Sequence, residues 1–233
     1  MQVVENSCDR YFKRQIELWG LEVQKSLLHK SVLIVGSGGL GCSLGIALGG
    51  SGVGRIDLLD FDEVSYHNLH RQIAFELDDL GKKKCEVLKQ TIVSRNPYVE
   101  VNSYDIDLQS FIKEYDSMKK RVKYDLIIDA TDNLPTRAMI DSFAKSVKTP
   151  WLYGSVEEFH GYVCLFENIS FESIFQINNR TPKGITAPIV MQIASIQANI
   201  ALRYLANYKV AKDKLYYCYY DQDGDFCLQK FGL

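Results

Sequence analysis

The run Val32-Leu33-Ile34-Val35 leads straight into Gly36-Ser37-Gly38-Gly39-Leu40-Gly41, and this junction constrains the chain more than any other stretch. Four consecutive apolar residues ending in glycine have the pattern of a parallel strand buried on both faces. The residues from Gly38 to about Ser51 are small and uncharged, as a closely packed helix requires. Glycines spaced G-x-G-x-x-G allow a sharp turn and bring backbone N–H groups to the start of that helix, where the peptide dipoles favour a negative group such as phosphate. Plain glycine turns share the spacing. The strand–turn–helix setting is what points to a nucleotide. Asp60 stands nineteen residues after Gly41 at the end of the next expected strand, Arg55 to Asp60. A nucleotide fold holds a ribose hydroxyl there; the plainer alternative is a solvated strand-end acid.

The alternation continues. Gly81 to Arg95 has helical spacing and stops before Asn96-Pro97. Val99 to Tyr104 reads as a strand, Asp107 to about Lys120 as a helix and Asp125 to Asp129 as a third buried strand. Asn133 to Ser146 is predicted helical, with Pro135 tolerated in its first turn. The pattern changes after residue 150. Trp151 to Val156 and Tyr162 to Phe166 read as strands, and Phe171 to Thr186 as a crossing loop. Pro188 to Tyr208 is a long helix, uncharged as far as Leu202, and a hairpin turns at Asp221-Gln222-Asp223-Gly224. The expected fold is α/β, a Rossmann-like and mostly parallel sheet flanked by helices with a C-terminal antiparallel extension. Its 233 residues, 46% of them hydrophobic, suffice for a sizeable core. They are expected to form one domain, 1–233, with residues 1–150 as the nucleotide-binding half and 151–233 completing the sheet and forming a substrate surface.

The polar residues between these elements separate two chemistries. Asp60-Phe61-Asp62 is followed by Asn68-Leu69-His70-Arg71-Gln72, then by Lys84, and a later strand ends in Asp129-Ala130-Thr131-Asp132-Asn133. Asn68, Arg71 and Lys84 are available to phosphates, and Asp132 to a magnesium ion. Transfer of an adenylyl group to a carboxylate needs such a set, because charge builds on the phosphoryl oxygens as pyrophosphate leaves. An NAD-dependent oxidoreductase would explain the glycine loop and Asp60 but has no use for the cations. A non-catalytic scaffold of the same fold would leave the whole polar set without purpose. Taken alone, Lys84 is an ordinary surface cation in a run of three lysines.

RYFKRQ, GSGGLG, LLDFDEVSYHNLHRQ, GKKK and DATDN occur in this order, and together they resemble the ThiF/MoeB/HesA family, bacterial relatives of ubiquitin-activating enzymes. The resemblance runs from about Arg10 to Leu205. It implies ATP-dependent adenylylation of the C-terminal glycine of a small ubiquitin-like sulfur carrier, of thiamine or molybdopterin type, that ends in Gly-Gly. Carried over by position, Gly36, Gly38, Gly39 and Gly41 take the ATP phosphates and Asp60 the ribose. Asp62, Asn68, Arg71, Gln72, Lys84 and Asn133 join the nucleotide site, and Asp132 holds Mg²⁺. The resemblance further implies a homodimer in which Arg14 acts across the interface on the partner's ATP.

The sequence departs from the family in two places. Many members carry two CxxC pairs for a structural zinc, and none occurs here, so no zinc site is expected. Some place a covalently acting cysteine shortly before the long C-terminal helix, whereas Asn179-Arg180-Thr181-Pro182-Lys183-Gly184 has none. No sulfur-transfer segment is seen, which assigns sulfur delivery to a separate donor. The missing zinc pairs incline the reading towards a pared-down member of thiamine type.

Net charge is −2, which disfavours nucleic acid as a partner. The six cysteines form no redox or zinc spacing, and the first fifteen residues lack an apolar secretory core, so a cytoplasmic protein with free thiols is expected. Gly184 to Leu202 is uncharged but contains Pro188, Gln192, Gln197 and Asn199, which favours a buried helix over a membrane span. Cys42, near a helix start, is read as a core residue. His67 and His70 with Asp62 make a poor metal site. The alternating tyrosines of Leu215 to Tyr220 present one face for a carrier or a second subunit.

Overall fold

The computed structural model describes residues 7–117, 122–177 and 183–233. Three short helices open the chain: α1 (Ser7–Tyr11), α2 (Lys13–Trp19) and α3 (Leu21–Leu27). The sequence reading did not anticipate them. They are too short to show a helical period, and Gly20, at φ +84°, breaks α2 from α3.

Alternating elements follow: β1 (Ser31–Val35), α4 (Gly39–Ser51), β2 (Arg55–Leu59), α5 (Lys84–Arg95), β3 (Glu100–Tyr104), α6 (Leu108–Ser117), β4 (Leu126–Asp129), α7 (Leu134–Ser146) and β5 (Trp151–Glu157). Then come β6 (His160–Phe166), α8 (Ala187–Leu205), β7 (Lys214–Tyr220) and β8 (Phe226–Gly232). One sheet takes all eight strands of the described residues in the order β3-β2-β1-β4-β5-β6-β7-β8. The pairs from β3 to β5 are parallel, and those from β5 to β8 are antiparallel. The expected sheet and its antiparallel extension are both present.

Boundaries move where tertiary bonds compete with helical pattern. The helix expected from Gly81 begins at Lys84, because Gly81 lies at φ +80° and donates its N–H to Val64, while Lys83 bridges to Glu63. The first strand of the antiparallel part turns at Glu158-Phe159, so its partner starts at His160, two residues before the expected Tyr162. The expected end of α6 near Lys120 and most of the stretch 179–184 lie outside the described residues.

Each face of the sheet carries a core. On one face α4, α5 and α8 cover Val32, Ile34, Ile56, Leu58, Leu152 and Val163. On the other, α6 and α7 cover Leu33, Ile127, Trp151 and Tyr153. Helix α8 buries Val190, Ile193, Ala194, Gln197, Ala198, Ala201 and Leu205, a single stripe at three- and four-residue spacing. Each fully buried Ile or Leu contributes about 1.5–3 kcal/mol, so this stripe fixes α8 on the sheet. Met191 and Asn199 face outward, so the helix is buried on one side only. No helix among the described residues is long and apolar enough to cross a membrane.

Candidate functional site

The carboxyl ends of β1, β2 and β4 open into a cleft of about 1680 Å³. Such a position, outside the strand ends where the sheet order reverses, is where open α/β sheets hold ligands. The glycine loop forms one wall. Gly36 lies at φ +100°, and a Cβ there would stand 2.5 Å from the Ala130 carbonyl oxygen. A Cβ at Gly41 would strike the Gly36 carbonyl, and one at Gly39 would come within 2.7 Å of Val190. Side chains are therefore excluded where the backbone must turn against β4. Helix α4 presents its N-terminus at Gly39, with no side-chain cap on its first N–H groups.

Asp60, just past β2, braces this loop. Its Oδ2 accepts the Ser37 N–H at 2.6 Å, and its Oδ1 accepts the Asp62 N–H at 2.8 Å. Burial pushes its carboxyl above the usual range, and those two bonds and the Lys84 charge act against that shift. Lys84 opens α5 and is 6% exposed, yet it lines the cleft and donates to Asp62 Oδ2 at 2.7 Å. It is no ordinary surface cation.

A 3-10 turn at Tyr66–Asn68 places the next group. Asn68 is buried and accepts the Ser65 N–H through Oδ1 at 3.1 Å, closing a capping box. That leaves its amide N–H groups for the cleft. Arg71 donates from Nη1 to the His67 carbonyl at 3.0 Å and meets His70 Nε2 at 2.8 Å. Gln72 is buried, and among the described residues its Oε1 has no hydrogen-bond partner; the same holds for Ser37 Oγ in the glycine loop. An uncapped helix N-terminus beside an open hydroxyl such as Ser37 Oγ suits an anionic ligand such as a nucleoside triphosphate, whereas the Gln72 oxygen, an acceptor, calls for a donor such as a hydroxyl or amino group of the same ligand.

The fourth wall comes from β4 and α7. Asp129 is fully buried, while Asp132 and Asn133 are exposed at the cleft. Asn133 caps α7 by accepting the Thr136 N–H at 2.9 Å, and its amide lies 3.4 Å from Asp132 Oδ1. Asp132 thus offers hard carboxylate oxygens to the open cleft, which fits a magnesium ion.

Gly36, Gly38, Gly39, Asp60, Asp62, Asn68, Arg71, Gln72, Lys84, Asp132 and Asn133 all line this one cleft, and Gly41 packs directly behind it. Arg14 is apart from them. It lies on α2, pairs with Glu17 at 2.6 Å and has a side chain 90% exposed. Among the described residues, no group of three or more His, Cys, Asp or Glu is arranged to hold a metal ion by itself, the His67–His70–Asp62 set included. Cys42 is buried in the core and its thiol is pushed up to about 12, chiefly by burial, which leaves it unreactive.

The sequence reading missed Arg137. It lines the floor of the cleft with Nε 3.0 Å from Asp129 Oδ2, while Nη2 donates to the carbonyls of Thr131 at 2.7 Å and Gly154 at 3.2 Å. The signal was present: Arg137, Ile140, Asp141 and Ala144 occupy the buried stripe of α7, where a cation has to find a partner. Gln197 gives the same signal on α8; it is buried and donates to the Asp129 carbonyl at 2.9 Å.

The sequence model of the ThiF family matches residues 12–227. The chain belongs to the ThiF family. This ThiF-family chain is 34% identical over 169 residues to the sulfur carrier protein adenylyltransferase of Thermus thermophilus, a match covering 72% of this chain and 61% of that protein. It is 32% identical over 209 residues to the molybdopterin-synthase adenylyltransferase of Salmonella typhimurium, covering 84% of this chain and 82% of that protein. The chain spans about half the length of other curated relatives that it matches. The crystal structure of Escherichia coli MccB with MccA superposes with a TM-score of 0.81 over 97% of this chain and 72% of that one, at 20% identity. That likeness concerns the fold.

Proposed function

We propose that this ThiF-family chain transfers the adenylyl group of ATP to the C-terminal glycine of a small ubiquitin-like sulfur carrier ending in Gly-Gly. The observation that carries the reading is the convergence of Asn68, Arg71, Lys84 and Asp132 on the cleft walled by the glycine loop. The names of the Thermus and Salmonella relatives support both the reaction and the substrate class.

In this reading a carboxylate oxygen of the carrier attacks the α-phosphorus of ATP. The bond to the bridging oxygen breaks, and pyrophosphate leaves with its electron pair. The glycine loop and the N-terminus of α4 cradle the phosphates, and Asp60 keeps that loop in shape while reaching the ribose. Lys84 and Arg71 offset the charge that grows on the phosphoryl oxygens; Lys84 has three N–H donors, of which Asp62 engages one. Asn68 and Gln72 add neutral polar contacts. Asp132, steadied by Asn133, would hold Mg²⁺, which supplies electrostatic neutralisation of the triphosphate.

The remaining parts belong to the same proposal. The chain works as one adenylylation domain, 1–233, which the continuous eight-stranded sheet supports. It acts as a homodimer in which Arg14 completes the partner's site; its exposure away from its own cleft, and the exposed Phe61, Tyr66 and Leu77, support this. Sulfur comes from a separate donor, no zinc or nucleic acid is required, and the unpaired cysteines suit the cytoplasm.

ATP–pyrophosphate exchange with Mg²⁺ and candidate carriers of thiamine and molybdopterin type tests the reading. Exchange that requires one carrier and is lost in Asp132→Ala supports it and names the pathway. ATP binding without exchange for any carrier transfers the activity to another C-terminal substrate. Tight NAD binding without ATP binding favours an oxidoreductase, and neither nucleotide binding favours a scaffold.

A further inference from the structure

Arg71 is held at both ends before a ligand arrives. Its stem lies against the glycine loop, where a Cβ on Gly39 would stand 3.7 Å from Arg71 Cγ. Its head is held through a single nitrogen: Nη1 donates to the His67 carbonyl at 3.0 Å and lies 2.8 Å from His70 Nε2. A terminal guanidinium nitrogen carries two hydrogens and accepts none, so both hydrogens of Nη1 are engaged. Among the described residues Nε and Nη2 make no hydrogen bond, which leaves three N–H groups for the cleft that Arg71 lines.

The bond to His70 dictates the state of its ring. Arginine can only donate, so Nε2 has to accept, and that requires a neutral imidazole with its one proton on Nδ1. The tether also differs in charge from the one on Lys84. Lys84 is held by the Asp62 carboxylate at 2.7 Å, which offsets part of its charge. Arg71 is held by a carbonyl and an imidazole, so it is aimed without a counter-charge. Ordering a long side chain costs rotamer entropy when a ligand binds, and a tether made beforehand removes that cost. His70 itself is exposed at the cleft and belongs to neither core, so packing does not account for it.

We propose that His70 is a positioning residue for the nucleotide reaction: as a neutral acceptor it holds the Arg71 guanidinium in the orientation that meets the triphosphate and leaves the charge of Arg71 whole. The inference rests on the reading of this cleft as a nucleoside triphosphate site. His70 touches no phosphate in this arrangement and acts through Arg71 alone. Because its ring is exposed, substitutions there leave the fold standing, and a change in nucleotide binding is then read directly.

The test compares His70→Leu, which removes the acceptor, with His70→Gln, whose side-chain oxygen can stand in for Nε2 without a charge. ATP affinity is measured by calorimetry with Mg²⁺, and KM values by ATP–pyrophosphate exchange. His70→Leu should weaken ATP binding roughly tenfold, the size of one hydrogen bond to a charged group. It should raise the KM for ATP and leave the KM for the carrier alone, whereas a loosened cleft would raise both. His70→Gln should recover most of the loss. Nitrogen-15 NMR of histidine-labelled protein, at a pH above the ordinary histidine range, should show the ring missing from His70→Gln with its proton on Nδ1. Arg71→Ala should abolish that signature. A proton on Nε2, a signature indifferent to Arg71→Ala, no recovery in His70→Gln, or ATP affinity in His70→Leu within about twofold of the unaltered protein overturns the proposal. Exchange that ignores His70 leaves the adenylylation reading intact. ATP binding that depends on His70, without exchange for any carrier, keeps the proposal and removes that reading. No ATP binding by the unaltered protein overturns both.

Discussion

Arg137 lines the floor of the cleft with its Nε 3.0 Å from Asp129 Oδ2, and the pair ties the end of β4 to the loop that carries Asp132. The other Asp129 oxygen accepts both the backbone N–H and the hydroxyl of Thr131, at 2.9 and 2.6 Å. Arg137 in turn gathers the Thr131 and Gly154 carbonyls, linking β4 to β5. Both side chains are buried, so neither charge has water to fall back on. Asp129→Ala should destabilise the protein by about 3–5 kcal/mol, because it strands a buried cation. Urea unfolding measures this, and Asp129→Ala combined with Arg137→Met should recover part of the loss. A drop below about 1 kcal/mol would mean that the pair is dispensable.

The centre of the parallel half of the sheet was legible in the sequence because β1, β2 and β4 each carry a short apolar stretch ended by glycine or acid. The ligand cleft was legible because GSGGLG and DATDN sit at strand ends, where the fold leaves backbone N–H groups and carboxylates open. Two kinds of feature were hidden. Helices α1 to α3 are held by tertiary contacts, such as Phe12 packed beneath Gly52 and Tyr11 bonded to the Arg95 carbonyl, which no local period reports. The partnership of Arg137 with Asp129 joins residues whose side chains meet only when α7 lies on the sheet. The burial of Lys84 was likewise concealed by its neighbours, the exposed Lys82 and the half-buried Lys83.

Lys84 gives a sharper test of the site. Its ammonium is held by Asp62 at 2.7 Å and cannot wander, so its charge is fixed before a phosphate arrives. Lys84→Ala should lower kcat by roughly 10²–10³-fold, the usual cost of removing one preorganised donor from a developing anion. Lys84→Arg should recover part of this, and Asp62→Asn should cost less than either. These values come from steady-state exchange at saturating ATP. A loss under about fivefold in Lys84→Ala would remove this residue from the chemistry.

Acid sensitivity should arise partly at Asp213, far from the cleft. Burial raises its carboxyl, but hydrogen bonds from the N–H groups of Glu167, Asn168 and Ile169 and the Asn168 amide outweigh this and hold it below the usual carboxylate range. A lowered value in the folded state means that stability is present above the unfolded value, near 3.9 for Asp, and is lost as pH falls through the folded value. Asp213→Asn should therefore cost about 1–2 kcal/mol at pH 7, one charge-assisted cluster, and should flatten the loss of stability over that acid window. Urea midpoints at neutral pH and across the acid limb compare the two proteins. A parallel acid limb in the variant would place the sensitivity elsewhere.

The position of Arg14 makes the proposed dimer testable through activity alone. Its side chain is exposed on α2 and meets Glu17 of its own helix, outside its own cleft. If it serves the partner's site, Arg14→Ala and Asp132→Ala should each abolish exchange as homodimers. Mixed after reversible dissociation, they should regain it. In the mixed dimer the Arg14→Ala chain keeps its own Asp132 and receives Arg14 from its neighbour, so one site in two is whole. Random pairing makes half of the dimers mixed, and activity should return to about a quarter of that of the unaltered protein, since each subunit acts on its own ATP. Exchange that stays at the level of the separate variants, with subunit mixing confirmed by native mass spectrometry, would confine Arg14 to its own chain.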